Sequence, residues 1–360
     1  MNLLSTTLLL LLLLLAPTGV VVKHAAAQSA DDQFLAAREA ARAGDRARLE
    51  RLAPALYGYE LEPYVDYWLL VPDLKEADPA VVRAFLGRHE NSYIAEKLRA
   101  DWLRQLARKQ QWELFDGEYA RLLQPDQELA CYALQGRLAR GDAKVLDDAL
   151  PLWLSALEPP ESCYVVFEAL IVGKRVLADA VWARIRRQFE ANKIAAALYT
   201  MNYLPPGQTP DRKLAQVVAE SPLPWLSKLP GDFSGNRMQR ELAALAIQRV
   251  ARNDPQVAAD QLERIGPSLH SGEKSWAWIQ IARQAAQRHM PEALNWYRQA
   301  GDAPLPDEAA EWKVRAALRA QDWASVRSTI ETMPPALAAQ PAWVYWLGRA
   351  YRAGGRLEEA

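Results

Sequence analysis

The sequence is poor in the residues most enzymes use for chemistry. It has four histidines and two cysteines. His24 falls near the start, and His89, His270 and His289 stand isolated among charged or polar neighbours. The spacings H-E-x-x-H and C-x-x-C are absent, so the usual zinc and dithiol arrangements are not expected, and the histidines read as solvated residues at helix ends. G-x-G-x-x-G and G-K-[ST] loops are missing as well, which removes the backbone cradle for nucleotide phosphates. Surplus charge of either sign is lacking, with 43 basic against 44 acidic residues, so no electrostatic footprint for nucleic acid exists. Runs of Val, Ile and Thr at period two are nearly absent, which leaves strands without support. Metal, cofactor and nucleic acid are therefore not expected, and the chain reads as a monomer without a catalytic constellation.

Charge is missing altogether from the first 22 residues, which include an unbroken leucine run at 8–15. That run is too short to span a hydrocarbon core of about 30 Å without its flanks. It suits the apolar region of a signal peptide. Pro17 and Gly19 follow, and then Ala25-Ala26-Ala27-Gln28 offers small residues for cleavage after Ala27. The alternative is an uncleaved anchor over residues 3–22, since only the α-amino group is positive ahead of the leucines. Loss of residues 1–27 removes a single charged residue, Lys23, and leaves 42 basic against 44 acidic side chains. The remaining 28–360 exceed what one compact core normally serves, so two domains or a solenoid are expected.

Helical signals fill that length and favour the solenoid. In WKVRAALRAQDWASVRSTIETMP, residues 312–334, one helix ends near Ala320-Gln321 and the next begins with Asp322 as N-cap. Trp323, Val326 and Ile330 then share one face, and Pro334 and Pro335 stop the helix. Similar pairs begin at Ala37, Trp102, Tyr132 and Leu245. Gly44-Asp45, Gly141-Asp142 and Asn253-Asp254-Pro255 supply a residue tolerant of the left-handed region followed by an N-cap. Turn centres near 141, 173, 289, 321 and 354 include several steps of 32 or 33 residues, and the last segment approaches the W-x-x-L-G-x-x-Y pattern of a tetratricopeptide repeat. The fold class expected is all-α, a superhelical solenoid of such helix-turn-helix pairs. Prolines crowd residues 204–235 and recur at Pro304 and Pro306, marking irregular segments where the stack changes direction. Residues 358–360 read as the inside of an unfinished helical pair.

Few residues invite a chemical reading. Glu60 with Glu62 is an i, i+2 pair, and Glu161-Ser162 follows two prolines; both read as surface features. Trp112 and Trp323 occupy matching positions after an inter-helix turn and read as packing residues. Trp276 and Trp278 cannot both face inward at i, i+2, which makes them the candidates for ligand contact by a flat sugar ring. Cys131 and Cys163, an even count in an exported chain, suggest one disulfide; two buried free thiols are the alternative.

Several segments resemble the soluble lytic murein transglycosylases, in which a long α-superhelical domain precedes a lysozyme-like catalytic domain. They are YELEPYVDYWLL (59–70), the Cys131 and Cys163 pair, RMQRELAALAIQRVARNDPQVA (237–258), VRAALRAQDW, and AWVYWLGRAYRAGGRLEEA (342–360). The resemblance covers residues 31–360 and concerns the superhelical domain. The catalytic pattern of that family, a glutamate and serine followed by G-L-M-Q, is not found: Glu161-Ser162 imitates only its first part. No catalytic residue is carried over. The resemblance implies the non-catalytic part of a periplasmic enzyme, truncated before its catalytic domain, that cleaves the MurNAc-GlcNAc β-1,4 bond to 1,6-anhydro products. It also implies a ring or U around the peptidoglycan glycan strand, with cell-wall synthesis or division proteins as further partners. An exported tetratricopeptide-like adaptor that binds proteins is the competing reading.

Overall fold

A computed structural model describes residues 29–356 and 358–359. The expected leader over residues 1–27, with its cut after Ala27, lies outside the described residues. Among these, the chain forms 21 α-helices and short 3-10 turns and has no strand, which is the all-α solenoid of helical pairs expected from the sequence. No helix among the described residues is long and apolar enough to cross a membrane. Two compact units follow one another, up to Gln124 and from Pro125.

The first unit holds α1 (Ala30–Arg42), α2 (Arg46–Leu52), α3 (Glu62–Leu70), α4 (Pro79–Arg88), α5 (Tyr93–Arg108) and α6 (Trp112–Tyr119). Ala37, Ala40, Leu49, Leu56 and Val65 form one of its buried clusters, covered by Phe34 stacked on Trp68 with ring centres 5.4 Å apart. Glu62 turns back to accept a hydrogen bond from the Gly58 amide at 2.7 Å and so closes the turn before α3. Glu60 is exposed. His89 departs from the expectation of a solvated histidine: its ring packs edge-on against Phe85 at 4.6 Å and lies 3.4 Å from the Asp66 carboxylate. His270 and His289 are exposed at helix ends, as expected.

The second unit begins with α7 (Gln127–Ala139), α8 (Val145–Ser155), α9 (Tyr164–Val172), α10 (Ala178–Glu190) and α11 (Ile194–Thr200). The proline-rich stretch follows, irregular around the short helices α12 (Arg212–Glu220) and α13 (Pro222–Leu226). Then come α14 (Arg237–Ala251), α15 (Pro255–Ile265), α16 (Ser271–Gln287), α17 (Ala293–Gln299), α18 (Asp307–Arg319), α19 (Trp323–Glu331), α20 (Pro335–Ala338) and α21 (Pro341–Ala353). Helices α10, α14, α16 and α18 pack in succession, with α15, α17 and α19 behind them. Because α14 is wrapped by α10, α12, α13, α15 and α16, eleven of its fifteen residues are buried. Its alanines allow that close approach, and fully buried Leu242, Leu245 and Ile247 each add about 1.5–3 kcal/mol of burial free energy.

The turns repeat a small set of devices. Asp45, Asp254 and Asp322 cap α2, α15 and α19 by accepting from backbone amides at 2.9–3.1 Å, and loss of such a cap typically costs about 1 kcal/mol. Gly44 and Gly141 take the left-handed conformation at φ +70° and +76°. Asn253 does not: the Asp254 amide bonds back to the Val250 carbonyl at 2.8 Å, closing the turn without a left-handed residue. Elsewhere a side chain with a Cβ fills that role, at Gln110, Lys174, Asn192, His289 and Gln321. Left-handed geometry costs an L-residue about 1–2 kcal/mol, partly offset in a glycine by the entropy of the unfolded chain. Gln321→Gly is therefore expected to raise stability by about 0.5–1 kcal/mol. A higher urea midpoint at unchanged slope would show it, and a lower midpoint would refute it.

Cys131 on α7 and Cys163 just before α9 are joined by a disulfide, with Cα atoms 4.9 Å apart and both side chains buried. The neighbouring Ser162 is buried too, contrary to the surface role expected, because its hydroxyl donates to the Glu128 carbonyl at 3.1 Å; Glu161 is exposed. The end of α8 is closed by side chains from α10. Arg184 donates to the carbonyls of Trp153 and Ala156, Arg187 to that of Leu154, and Gln188 to that of Leu157 at 2.8 Å. The Arg184 guanidinium lies over the rings of Trp153 and Phe167, and burial lowers its pKa to about 10.

Candidate functional site

A row of charged and polar side chains crosses from α10 to α14, α16 and α18. Arg186 donates to one oxygen of Glu241 at 2.9 and 2.6 Å. Arg240 reaches Glu273 at 3.2 Å, and Arg283 reaches Glu308 at 2.5 Å. In each case an arginine of one helix meets a glutamate near the start of the next. Glu241, 2 % exposed, also lies 3.7 Å from Arg237, which bonds Asp179 at 2.6 Å. Burial raises the Glu241 carboxyl above its ordinary value, with the Arg186 and Arg237 charges opposing the shift and the Glu273 charge adding to it.

Trp276 sits in the middle of this row. Its indole Nε1 donates to Glu190 at 2.6 Å, and the Arg186 guanidinium lies 5.5 Å from its ring centre. Gln280 donates to the same Glu190 oxygen at 2.7 Å. Trp278, by contrast, is 2 % exposed and belongs to the core of α16, so of the two tryptophans only Trp276 reaches the surface. Trp112 and Trp323 are both half-buried at the first position of their helices; Trp323 packs on the core of the second unit.

Burial pushes the Glu190 carboxyl upward, opposed by the Trp276 hydrogen bond and the Arg283 charge. A carboxyl whose folded value lies above its unfolded value adds stability that is complete below the unfolded value and is lost as pH rises through the folded one. Glu190→Gln keeps an acceptor for Trp276 and Gln280 but cannot titrate. The stability of the variant relative to the parent is therefore expected to increase from pH 4 to pH 7, read from urea midpoints; a constant difference would refute the assignment.

Two cavities flank the row. One of about 360 Å³ is lined by Asp179, Trp182, Arg186, Arg237, Arg240, Glu241, His270, Gly272 and Glu273. The other, about 220 Å³, is bounded by Arg187, Glu190, Gln280, Arg283 and Glu308 among others. In the first unit a separate cavity of about 450 Å³ surrounds buried Glu118, which pairs with Arg83 at 3.0 Å and Arg99 at 2.5 Å. No group of three or more His, Cys, Asp or Glu side chains among the described residues could hold a metal ion.

The sequence reading singled out Trp276 but missed Arg186, Glu190, Glu241 and Arg283. Their trace is a charged pair at i, i+4 on one helix, as in Arg186 with Glu190 and Arg237 with Glu241. The contacts that give them meaning join residues 25 to 90 positions apart.

No family model matches the chain. The soluble lytic murein transglycosylase of Escherichia coli is 22% identical to it, over 93% of this chain and 53% of that protein. Among solved structures, an inactive variant of the lytic transglycosylase Slt from Pseudomonas aeruginosa superposes with a TM-score of 0.63 at 27% identity, covering 91% of this chain and 53% of that one. The 70-kDa soluble lytic transglycosylase of Escherichia coli gives 0.56 at 20% identity, over 92% and 55%. The chain thus spans about half the length of the curated relatives it matches. In sequence and in helical architecture it is related to the soluble lytic murein transglycosylases, and it corresponds to the N-terminal-type portion of those longer proteins.

Proposed function

We propose that this chain is the non-catalytic, superhelical portion of a periplasmic lytic transglycosylase and serves peptidoglycan turnover by holding the glycan strand. The observation that carries the reading is the extent of the match: it runs through nine-tenths of this chain while covering only half of each relative. The bond to be cut would be the MurNAc-GlcNAc β-1,4 linkage, released as a 1,6-anhydro product by a catalytic glutamate outside this chain. Such chemistry needs a carboxyl of raised pKa in a cleft, acting as acid and then base. Glu190 and Glu241 have raised values, but arginines and amides occupy them and give them a scaffold role. Trp276, with its indole N–H fixed by Glu190, supplies a flat apolar face of the kind sugar rings stack on.

Co-sedimentation with purified sacculi tests this reading. The chain is expected to pellet with sacculi and to leave their turbidity unchanged. Clearing of the suspension by this chain alone, or capture only of proteins from a periplasmic extract with no retention on sacculi, would overturn it.

A further inference from the structure

The 360 Å³ cavity at the head of α10, α14 and α16 is balanced in charge. Arg186, Arg237 and Arg240 face Asp179, Glu241 and Glu273. A bound anion or a bound cation would leave one sign in excess, whereas a group bearing both charges would not. The internal pairing is also incomplete. Glu273 is 6 % exposed, and while its Oε1 accepts from Arg240, its Oε2 has no hydrogen-bond partner. A buried carboxylate oxygen left without a donor is unfavourable, so an N–H that meets it offsets that penalty. On the same rim Arg237 is one-third exposed and Asp179 largely so. The rim thus presents a cation and an anion to an incoming group.

We propose that this cavity binds the zwitterionic end of an amino acid, with the ammonium directed to Glu273 and Asp179 and the carboxylate to Arg237 and Arg186. The inference rests on the reading of the chain as a peptidoglycan-handling protein and deepens it. Peptide stems that have not been cross-linked carry free ammonium and carboxylate groups, so the cavity would select strands by the state of their peptides while Trp276 meets the sugar.

Titration of the full chain with a diamino dicarboxylic acid, followed by calorimetry or by amide shifts, tests the proposal. Saturable binding is expected, weakened at least tenfold when the amino groups are acetylated or when the carboxylates are amidated. Asp179→Asn, at an exposed site, is expected to weaken binding several-fold without altering the melting temperature. Gly272 lines the cavity, and a Cβ there would meet no atom within 4 Å, so Gly272→Leu should fill the space and abolish binding while sparing every ion pair. Equal affinity for the acetylated or amidated analogues, or no saturable binding by the parent chain, would overturn the proposal. If Gly272→Leu still pellets with sacculi but no longer takes the zwitterion, both readings stand. If the parent pellets yet ignores the zwitterion, only this inference fails.

Discussion

Glu241→Ala is expected to lower the unfolding free energy by about 3–5 kcal/mol, the usual result of removing one member of a buried ion pair. The carboxylate is 2 % exposed and is the partner of Arg186 on α10 and of Arg237 on its own helix. Its loss leaves the Arg186 guanidinium, 19% exposed, without a counter-charge in a poorly solvated position. The same substitution frees the cation that lies over Trp276. The paired replacement Glu241→Leu with Arg186→Met removes both charges and should cost less than the single change, since apolar isosteres of a buried pair are often neutral. Urea unfolding of the single changes Glu241→Leu and Arg186→Met and of the double variant decides the matter: additive losses would show that the pair contributes no coupling.

The second large effect is expected at the disulfide. Cys131→Ala with Cys163→Ala, or reduction of the parent, should destabilise the second unit by about 3–4 kcal/mol, as the chain-entropy model predicts for a loop of this size. Both sulfurs are buried, so the reduced thiols also lose a packed contact. The loop runs through α7, α8 and the turn to α9, and the carbonyls at the end of α8 depend on Arg184, Arg187 and Gln188 of α10. Opening the bridge should therefore loosen α8 against α10 and raise amide exchange over residues 145–157 before the remainder of the unit. Equal unfolding midpoints with and without reductant would refute the assignment.

Periodicity and turn chemistry carried most of the fold. The helix break at Ala320-Gln321 with a restart at Asp322 lies where α18 ends and α19 begins. Turn centres expected near 141, 173, 289, 321 and 354 coincide with left-handed residues at Gly141, Lys174, His289, Gln321 and Gly355. These features are local, set by a cap, a proline or a glycine within a few residues. What the sequence concealed was non-local. Phe85 lies one helical turn before His89, but nothing near His89 shows that Asp66 faces it, since Asp66 is 23 residues away on another helix. The polar row was hidden for the same reason: Arg186 and Glu190 look like an ordinary solvated pair until α14 and α16 are laid beside them. Ser162 illustrates the reverse error, a polar residue after two prolines that is buried because the disulfide next to it draws the turn onto α7.

The arginine-to-glutamate contact occurs at three successive joints, Arg186 with Glu241, Arg240 with Glu273, and Arg283 with Glu308. Each joint has the same polarity, plug on the earlier helix and socket on the later one. The ion pairs thus give the stack a direction, each joint handing a cation from the earlier helix to an anion on the later one.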